Sequence, residues 1–201
     1  TEIAGIYPIT PASPMAEKVD VLASKGEINF WGNKVKVIEM ESEKGAIATV
    51  HGALQAGVLA TTYTASQGLL LMIPSIYKMA GEMLPGVIHV AARSLSTHSL
   101  SIFGDHQDIY AVRQTGACML SSSSVEEAYH MAMVSHLASI KSSLPFINFF
   151  DGFRTSHEID KVKEIDLSKL ETLIDKKALR KFRDNGMISG ATTRGTAENE
   201  D

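Results

Sequence analysis

Short apolar runs alternate along most of the chain with longer segments whose apolar positions recur at helical spacing. The short runs are apolar rather than alternating, which is typical of strands buried on both faces of a sheet. The predicted strands are Ile3–Tyr7, Val35–Met40, Leu59–Thr64, Val87–Ala92, Ala117–Leu120 and Phe146–Phe150. The predicted helices are Pro14–Ser24, Lys44–Gln55, Leu69–Met83, Asp108–Gln114 and Val125–Lys141. This order predicts an α/β fold with an open, mostly parallel sheet and helices on both faces.

The character of the chain changes after Asp151. Residues 158–185 are rich in charge, and their amphipathic pattern predicts one surface helix. We therefore expect an α/β domain over residues 1–157, truncated at its start, and a charged helix with a polar connector over residues 158–201. The chain opens on Thr1 and closes on a polar tail, so we expect it to be a piece of a longer protein.

Composition excludes several classes of function. The 201 residues are 44% hydrophobic, enough for a full core, and the net charge of −4 does not favour binding to nucleic acid or an anionic membrane. No apolar run is long enough to span a bilayer. Cys118 is the only cysteine, which excludes a disulfide framework and a cysteine-ligated cluster within this chain. The Rossmann fingerprint, the phosphate-loop motif and Gly-x-Ser-x-Gly are absent.

The junction between the second strand and the second helix carries a carboxylate cluster of Glu39, Glu41 and Glu43. Open α/β sheets bind ligands at the carboxyl ends of their strands. Small residues follow the cluster, such as Gly45 and Ala46, and they allow the helix to approach the sheet or a bound ring closely. The pattern predicts a recessed acid directed at a cofactor.

Thr10 lies in a proline-stiffened loop after the first strand, between Pro8 and Pro14. A hydroxyl group on so rigid a loop is positioned in advance for a ligand. The alternative is a strand ended by proline with a helix cap, and the local sequence slightly favours that alternative.

Two further junctions place polar side chains at strand ends. Ser66 and Gln67 follow the third strand, where they could line a pocket, although helix capping by Ser66 explains part of the pattern. Arg93 follows the fourth strand. It is either an ordinary exposed arginine or, if it faces the crevice, a fork for a substrate carboxylate.

The segment Gly104–Asp108 contains Asp105, His106 and Asp108. These residues could bind a metal, together with His98, or act in acid–base chemistry. A hydrogen-bonded loop with a helix cap is the favoured interpretation, because nothing in the sequence supplies further converging ligands, and we predict no metal ligands in this chain.

Seven motifs together resemble one enzyme family, the pyruvate:ferredoxin (flavodoxin) oxidoreductases, in their amino-terminal, pyrimidine-binding domain. The resemblance covers nearly the whole chain in order, without large gaps. The motifs are Tyr-Pro-Ile-Thr-Pro (7–11), Ser-Glu-Lys-Gly (42–45), His-Gly-Ala-Leu-Gln-Ala-Gly (51–57), Thr-Ala-Ser-Gln-Gly-Leu-Leu-Leu-Met-Ile-Pro (64–74), Leu-Pro-Gly-Val (84–87), Phe-Gly-Asp-His-Gln-Asp (103–108) and Phe-Phe-Asp-Gly-Phe-Arg-Thr-Ser-His-Glu (149–158).

The resemblance implies a thiamine diphosphate-binding fold and the oxidative decarboxylation of pyruvate to acetyl-CoA and carbon dioxide. It implies Mg²⁺ held by another domain, and 4Fe-4S clusters in the full enzyme that pass electrons to ferredoxin or flavodoxin. Pyruvate, coenzyme A and the remaining domains of the same polypeptide are the expected partners, and a homodimer is the expected assembly. The expected location is the cytoplasm or the matrix of an anaerobic organelle such as a hydrogenosome.

By motif position, the resemblance implies that Glu43 bonds the aminopyrimidine ring and that Thr10 and Arg93 contact pyruvate. These three are the expected catalytic residues, and Ser66 and Gln67 are further expected cofactor contacts. The chain lacks the Gly-Asp-Gly…Asn element that holds metal and diphosphate, so we expect it to be inactive alone. The alternatives are a sister enzyme for another 2-oxo acid, an NADP-linked fusion, a non-catalytic thiamine-fold assembly module, or the metal-binding domain considered above.

Overall fold

The computed structural model describes residues 1–186, 190 and 192–197. Within these residues, six strands form one sheet. The strands are β1 (Ile3–Ile6), β2 (Lys36–Glu39), β3 (Ala60–Thr64), β4 (Val87–Ala92), β5 (Cys118–Ser122) and β6 (Phe146–Asp151). The helices are α1 (Ser13–Ser24), α2 (Glu43–Gln55), α3 (Ser66–Gly81), α4 (Gln107–Val112), α5 (Val125–Ser142), α6 (Arg154–His157), α7 (Leu167–Leu173) and α8 (Lys176–Asp184).

Every neighbouring pair of strands is parallel, and the strand order is β2-β1-β3-β4-β6-β5. The chain leaves β1 toward β2 at one edge and then returns across β1 to β3. Because parallel crossovers are right-handed, connections running in opposite directions place their helices on opposite faces of the sheet. The adjacent ends of β1 and β3 therefore form a switch point, where the connecting loops diverge and leave a crevice.

The two faces of β1 show how closely the helices pack. Ala4 and Ile6 pack against Ala16 of α1 on one face. Gly5 points to the other face, where a Cβ atom would lie 2.6 Å from the backbone oxygen of Ala46 in α2. A larger residue than glycine would push α2 away from the sheet. The main core lies on the α2 and α3 side and is built mostly from aliphatic side chains of α2, α3 and β4.

The predicted fold class is confirmed: all six predicted strands are present, and the first five helices lie within a few residues of their predicted bounds. The single helix predicted over residues 158–185 is wrong. Two short helices replace it, because Asp166 and Asp175 each begin a new helix by accepting a backbone N–H, from Ser168 and Ala178 respectively. α8 is an amphipathic surface helix, as predicted for this segment, and its Phe182 is buried in the main core.

The division of the chain at residue 157 stays a prediction, and part of the predicted polar connector (187–189, 191 and 198–201) lies outside the described residues. Among the residues with a described structure, no helix combines the length and hydropathy needed to cross a bilayer.

Candidate active site

The predicted site residues collect at the carboxyl edge of the sheet, around the switch point. Thr10 follows β1, Glu43 follows β2, Ser66 follows β3 and Arg93 follows β4. Since all four strands are parallel, their carboxyl ends lie along one edge. The fold therefore brings to one edge side chains that are up to 83 positions apart in sequence.

Glu43 is the first residue of α2, and only 8% of its surface is exposed. The hydroxyl of Ser42 caps the helix by accepting the N–H of Gly45 at 3.2 Å, which sets where the helix begins and where Glu43 points. Within the described part of the chain, no hydrogen bond or ion pair reaches the Glu43 carboxylate. The carboxylate oxygens are not among the fully buried, unpaired polar atoms of the described residues, so they remain accessible to a donor from a ligand or another chain.

The space beside Glu43 depends on a glycine in the first turn of α3. A Cβ atom on Gly68 would lie 2.5 Å from Thr64 Oγ1 and 2.8 Å from Glu43 Oε1. The Thr64 hydroxyl is itself buried and has no hydrogen-bond partner among the described residues. A carboxylate oxygen and a buried hydroxyl thus lie against the same small residue, so a larger residue at position 68 would displace the Glu43 side chain.

Arg93 is buried, with 6% of its surface exposed. Its Nε donates to the carbonyl oxygen of Ser101 at 2.8 Å, and its Nη1 donates to the carbonyl oxygen of Thr10 at 2.7 Å. No carboxylate in the described residues forms an ion pair with its guanidinium. Two neutral carbonyl groups compensate a buried cation only in part, so the site retains positive potential suited to an anionic ligand.

The structure joins Thr10 to Arg93, although through the Thr10 main chain. The side chain of Thr10 is exposed, and the loop around it continues with a cis peptide bond to Pro11. The Thr10 side chain is therefore exposed on the same residue whose carbonyl oxygen contacts the guanidinium, and its hydroxyl could donate a hydrogen bond to a small anion held by Arg93.

Ser66 and Gln67 hold the loop that follows β4. Ser66 Oγ lies 2.7 Å from the carbonyl oxygen of Ser94, and Gln67 Nε2 donates to the carbonyl oxygen of Ser96 at 2.9 Å. The capping role considered for Ser66 is wrong, because Ala65 occupies the N-cap position and no side chain caps α3. Ser66 instead adopts a left-handed backbone with φ of 51°, a conformation that favours glycine.

Asp108 is the residue whose role the sequence does not reveal. It lies in the first turn of α4 and is fully buried. Its Oδ2 accepts the backbone N–H of Ser66 at 2.8 Å and that of Arg93 at 3.0 Å, and its Oδ1 accepts the N–H of Ile109 at 2.8 Å. Burial raises the pKa of the Asp108 carboxyl, and these three hydrogen bonds oppose the shift.

The other candidates in this segment do not converge. Asp105 Oδ1 accepts the N–H of Gln107 at 2.8 Å, and the ring of His106 packs edge-on against Phe149. No group of three or more histidine, cysteine, aspartate or glutamate side chains in the described residues could hold a metal ion. The structure therefore does not assemble the alternative metal site built on His98, Asp105, His106 and Asp108.

Comparisons with known proteins identify the family and the fold. The sequence model of one family matches residues 1–201, and that family is described as "Pyruvate flavodoxin/ferredoxin oxidoreductase, thiamine diP-bdg". A solved 2-oxoglutarate:ferredoxin oxidoreductase from Magnetococcus marinus has a similar fold, with a TM-score of 0.66 and 24% identity. That similarity covers 77% of this chain and 27% of the solved chain, and it bears on the fold alone.

Two curated relatives are much closer in sequence. A pyruvate-flavodoxin oxidoreductase from Klebsiella pneumoniae is 58% identical, and a pyruvate:ferredoxin oxidoreductase from Moorella thermoacetica is 56% identical. Each match includes 100% of this chain, which spans 17% of the length of each relative. The chain belongs to the pyruvate flavodoxin/ferredoxin oxidoreductase, thiamine diphosphate-binding family.

Proposed function

We propose that this chain is the pyrimidine-binding part of an oxidoreductase that converts pyruvate and coenzyme A into acetyl-CoA and carbon dioxide. The reaction releases a proton and a pair of electrons, and ferredoxin or flavodoxin accepts the electrons. The observation that carries the proposal is Glu43, a largely buried residue whose carboxylate has no hydrogen-bond partner in the described residues and lies against Gly68. The names of the close relatives support pyruvate as the substrate.

The residues present fit the aminopyrimidine end of thiamine diphosphate. This ring offers hydrogen-bonding nitrogen atoms on its edge and flat apolar faces. Glu43 would contact a ring nitrogen through its carboxylate, which has no hydrogen-bond partner among the described residues. Gly68 allows α3 to lie close to Glu43, since a Cβ atom there would lie 2.8 Å from Glu43 Oε1 and would displace the carboxylate.

When bound, thiamine diphosphate supplies the carbanion chemistry that cleaves a 2-oxo acid next to its carbonyl carbon. The contribution of Glu43 is to exchange a proton with the ring nitrogen that it contacts. Its carboxyl group can do so because the helix start and the close approach of α3 restrict its position and limit its contact with water.

Arg93 would bind the carboxylate of pyruvate. Its guanidinium is aligned by the Ser101 and Thr10 carbonyl groups, so little side-chain freedom is lost when the substrate binds. The Thr10 hydroxyl would donate a directional hydrogen bond to the same substrate. Together the two groups would orient pyruvate in one way relative to the cofactor.

The remaining groups of the reaction would come from outside this chain. We infer that other domains of the same polypeptide hold the diphosphate with Mg²⁺ and the 4Fe-4S clusters, and that the enzyme is a homodimer. The inferred location is the cytoplasm or an anaerobic organelle matrix. The isolated chain should be inactive with pyruvate.

The test is an anaerobic assay of the full-length protein that contains this chain. Reduction of ferredoxin or flavodoxin should require pyruvate, coenzyme A and thiamine diphosphate together, and 2-oxoglutarate should replace pyruvate poorly. Equal rates with 2-oxoglutarate would favour a sister enzyme. Absence of activity with every 2-oxo acid, from protein loaded with cofactor and clusters, would favour an assembly module.

Substitution of Gly68 with alanine tests the cofactor contact. Because the new methyl group would meet Thr64 Oγ1 and Glu43 Oε1, we expect thiamine diphosphate to bind the full-length protein at least about tenfold more weakly. Isothermal titration of the cofactor measures this effect. Gly81→Ala is the matched control in the same helix, since a Cβ atom there meets nothing within 4 Å. Equal affinity in the two variants would contradict the contact.

A further inference from the structure

We propose that Asp108 is a positioning residue that sets the placement of Arg93 and Ser66 for substrate binding. The inference rests on the proposed function, because it assumes that Arg93 binds the pyruvate carboxylate. It concerns a residue on α4 that contacts neither substrate nor cofactor in this account. Asp108 acts through the main chains that it holds.

One carboxylate links the ends of two neighbouring strands. Asp108 Oδ2 accepts the N–H of Ser66, just after β3, and the N–H of Arg93, which directly follows β4. Its other oxygen accepts the N–H of Ile109 in its own helix, which restricts the rotation of the side chain. The carboxylate thus ties the start of α3, the end of β4 and the start of α4 at one point.

The bond to Ser66 supports an unfavourable backbone. A serine with φ of 51° persists only where surrounding contacts hold it, and the Asp108 carboxylate and the Ser94 carbonyl are two such contacts. Ser66 immediately precedes Gln67, which binds the loop after β4 through Ser96. Loss of the Asp108 contact would therefore loosen both the cofactor side and the substrate side of the site.

The hydrogen bond from the Arg93 N–H to Asp108 fixes the main chain from which the guanidinium extends. The backbone of Arg93 is held by Asp108, while its side chain is aligned by Ser101 and Thr10. Because both the main chain and the guanidinium of Arg93 are held, the remaining N–H groups of the guanidinium have a fixed orientation. A shift of the Arg93 main chain by a fraction of an ångström would misdirect them, and misplacement of about 1 Å can reduce a rate by about 100-fold.

The test is Asp108→Asn in the full-length protein. The amide has one acceptor oxygen in place of two, so either the shared bonds to Ser66 and Arg93 or the bond to Ile109 must be lost. We expect the KM for pyruvate to rise at least about tenfold, with a smaller change in kcat and an unchanged KM for coenzyme A. An unchanged KM for pyruvate, or an equal rise in the KM values for pyruvate and coenzyme A, would overturn the proposal.

A control separates positioning from general loss of stability. Ser139 is also fully buried, and its hydroxyl donates to the Leu144 carbonyl oxygen at 2.7 Å, beyond the amino ends of the strands. Ser139→Ala should lower the Tm while leaving the KM for pyruvate unchanged. If Ser139→Ala raises that KM as much as Asp108→Asn does, the effect of Asp108 is merely structural.

A double-mutant cycle tests whether Asp108 acts through Arg93. In an Arg93→Ala background, Asp108→Asn should change the KM for pyruvate by less than about twofold, because the side chain that it positions is gone. Independent multiplication of the two effects would overturn the proposal. The activity of the unmodified enzyme distinguishes failure of this proposal from failure of the proposed function. If the unmodified enzyme does not oxidise pyruvate, the proposed function is wrong. If it is fully active and the effects of the two substitutions on the KM multiply independently, only the role of Asp108 is wrong.

Discussion

Substitution of Glu43 with glutamine in the full-length protein is expected to lower pyruvate-dependent electron transfer by about 10²–10⁴-fold, the usual contribution of a positioned acid–base group. The side chain keeps its size and place at the start of α2, so the fold should be unaffected. The loss arises because an amide cannot exchange a proton with the ring nitrogen of the cofactor. Anaerobic reduction of ferredoxin or a viologen dye measures the rate.

The matched control is Glu41→Gln. Glu41 lies two positions earlier in the same carboxylate cluster, but its side chain is exposed. The same chemical change should therefore leave turnover within about twofold of the unmodified enzyme. Near-normal activity in Glu43→Gln, or an equal loss in both variants, would remove the assignment of Glu43.

Substitution of Arg93 with alanine should lower kcat/KM for pyruvate by at least about 30-fold. Removal of one partner from a buried, hydrogen-bonded charge pair costs about 2–5 kcal/mol, and each 1.4 kcal/mol is a factor of about ten. Arg93→Lys should recover only part of the loss, because lysine keeps the charge but cannot form the fork to Ser101 and Thr10. Steady-state kinetics with varied pyruvate measures both effects.

Arg113→Ala provides the control for loss of an arginine. Arg113 is exposed at the end of α4, and its guanidinium lies 5.8 Å from the centre of the Tyr110 ring rather than in the crevice. Its removal should leave the kinetics with pyruvate unchanged. An unchanged kcat/KM in Arg93→Ala would show that the carboxylate of pyruvate binds elsewhere.

β4 and β6 could be predicted from sequence because each is a compact, mostly apolar run between polar turns. A run such as Val87–Ala92 is buried at every position, which is typical of a strand covered by helices on both faces of a parallel sheet. The segment 158–185 could not be predicted in the same way. Its apolar spacing fits a continuous helix, but Asp166 and Asp175 divide it by capping two separate starts.

The candidate site could be predicted only in part, for a related reason. Arg93 directly follows β4, Thr10 and Glu43 each lie four positions beyond the end of a strand, and the carboxyl edge of a parallel sheet is a known place for ligands. The bonds of Asp108 to residues 15 and 42 positions away have no local signature. An aspartate at the start of a helix has the same local pattern whether it caps that helix or joins two distant strands. The left-handed Ser66 has no local signal either, since glycine would be expected there.

The most direct test of the role of Glu43 is the rate at which the full-length protein exchanges the acidic carbon-bound proton of the thiazolium ring of thiamine diphosphate with deuterium. Rapid acid quenching and proton NMR measure this rate without pyruvate. If Glu43 exchanges a proton with the cofactor, the thiazolium proton should exchange fast with deuterium in the unmodified protein and in Glu41→Gln. In Glu43→Gln with the cofactor fully bound, this deuterium exchange should be at least about 100-fold slower. The same exchange rate in all three proteins would contradict the account.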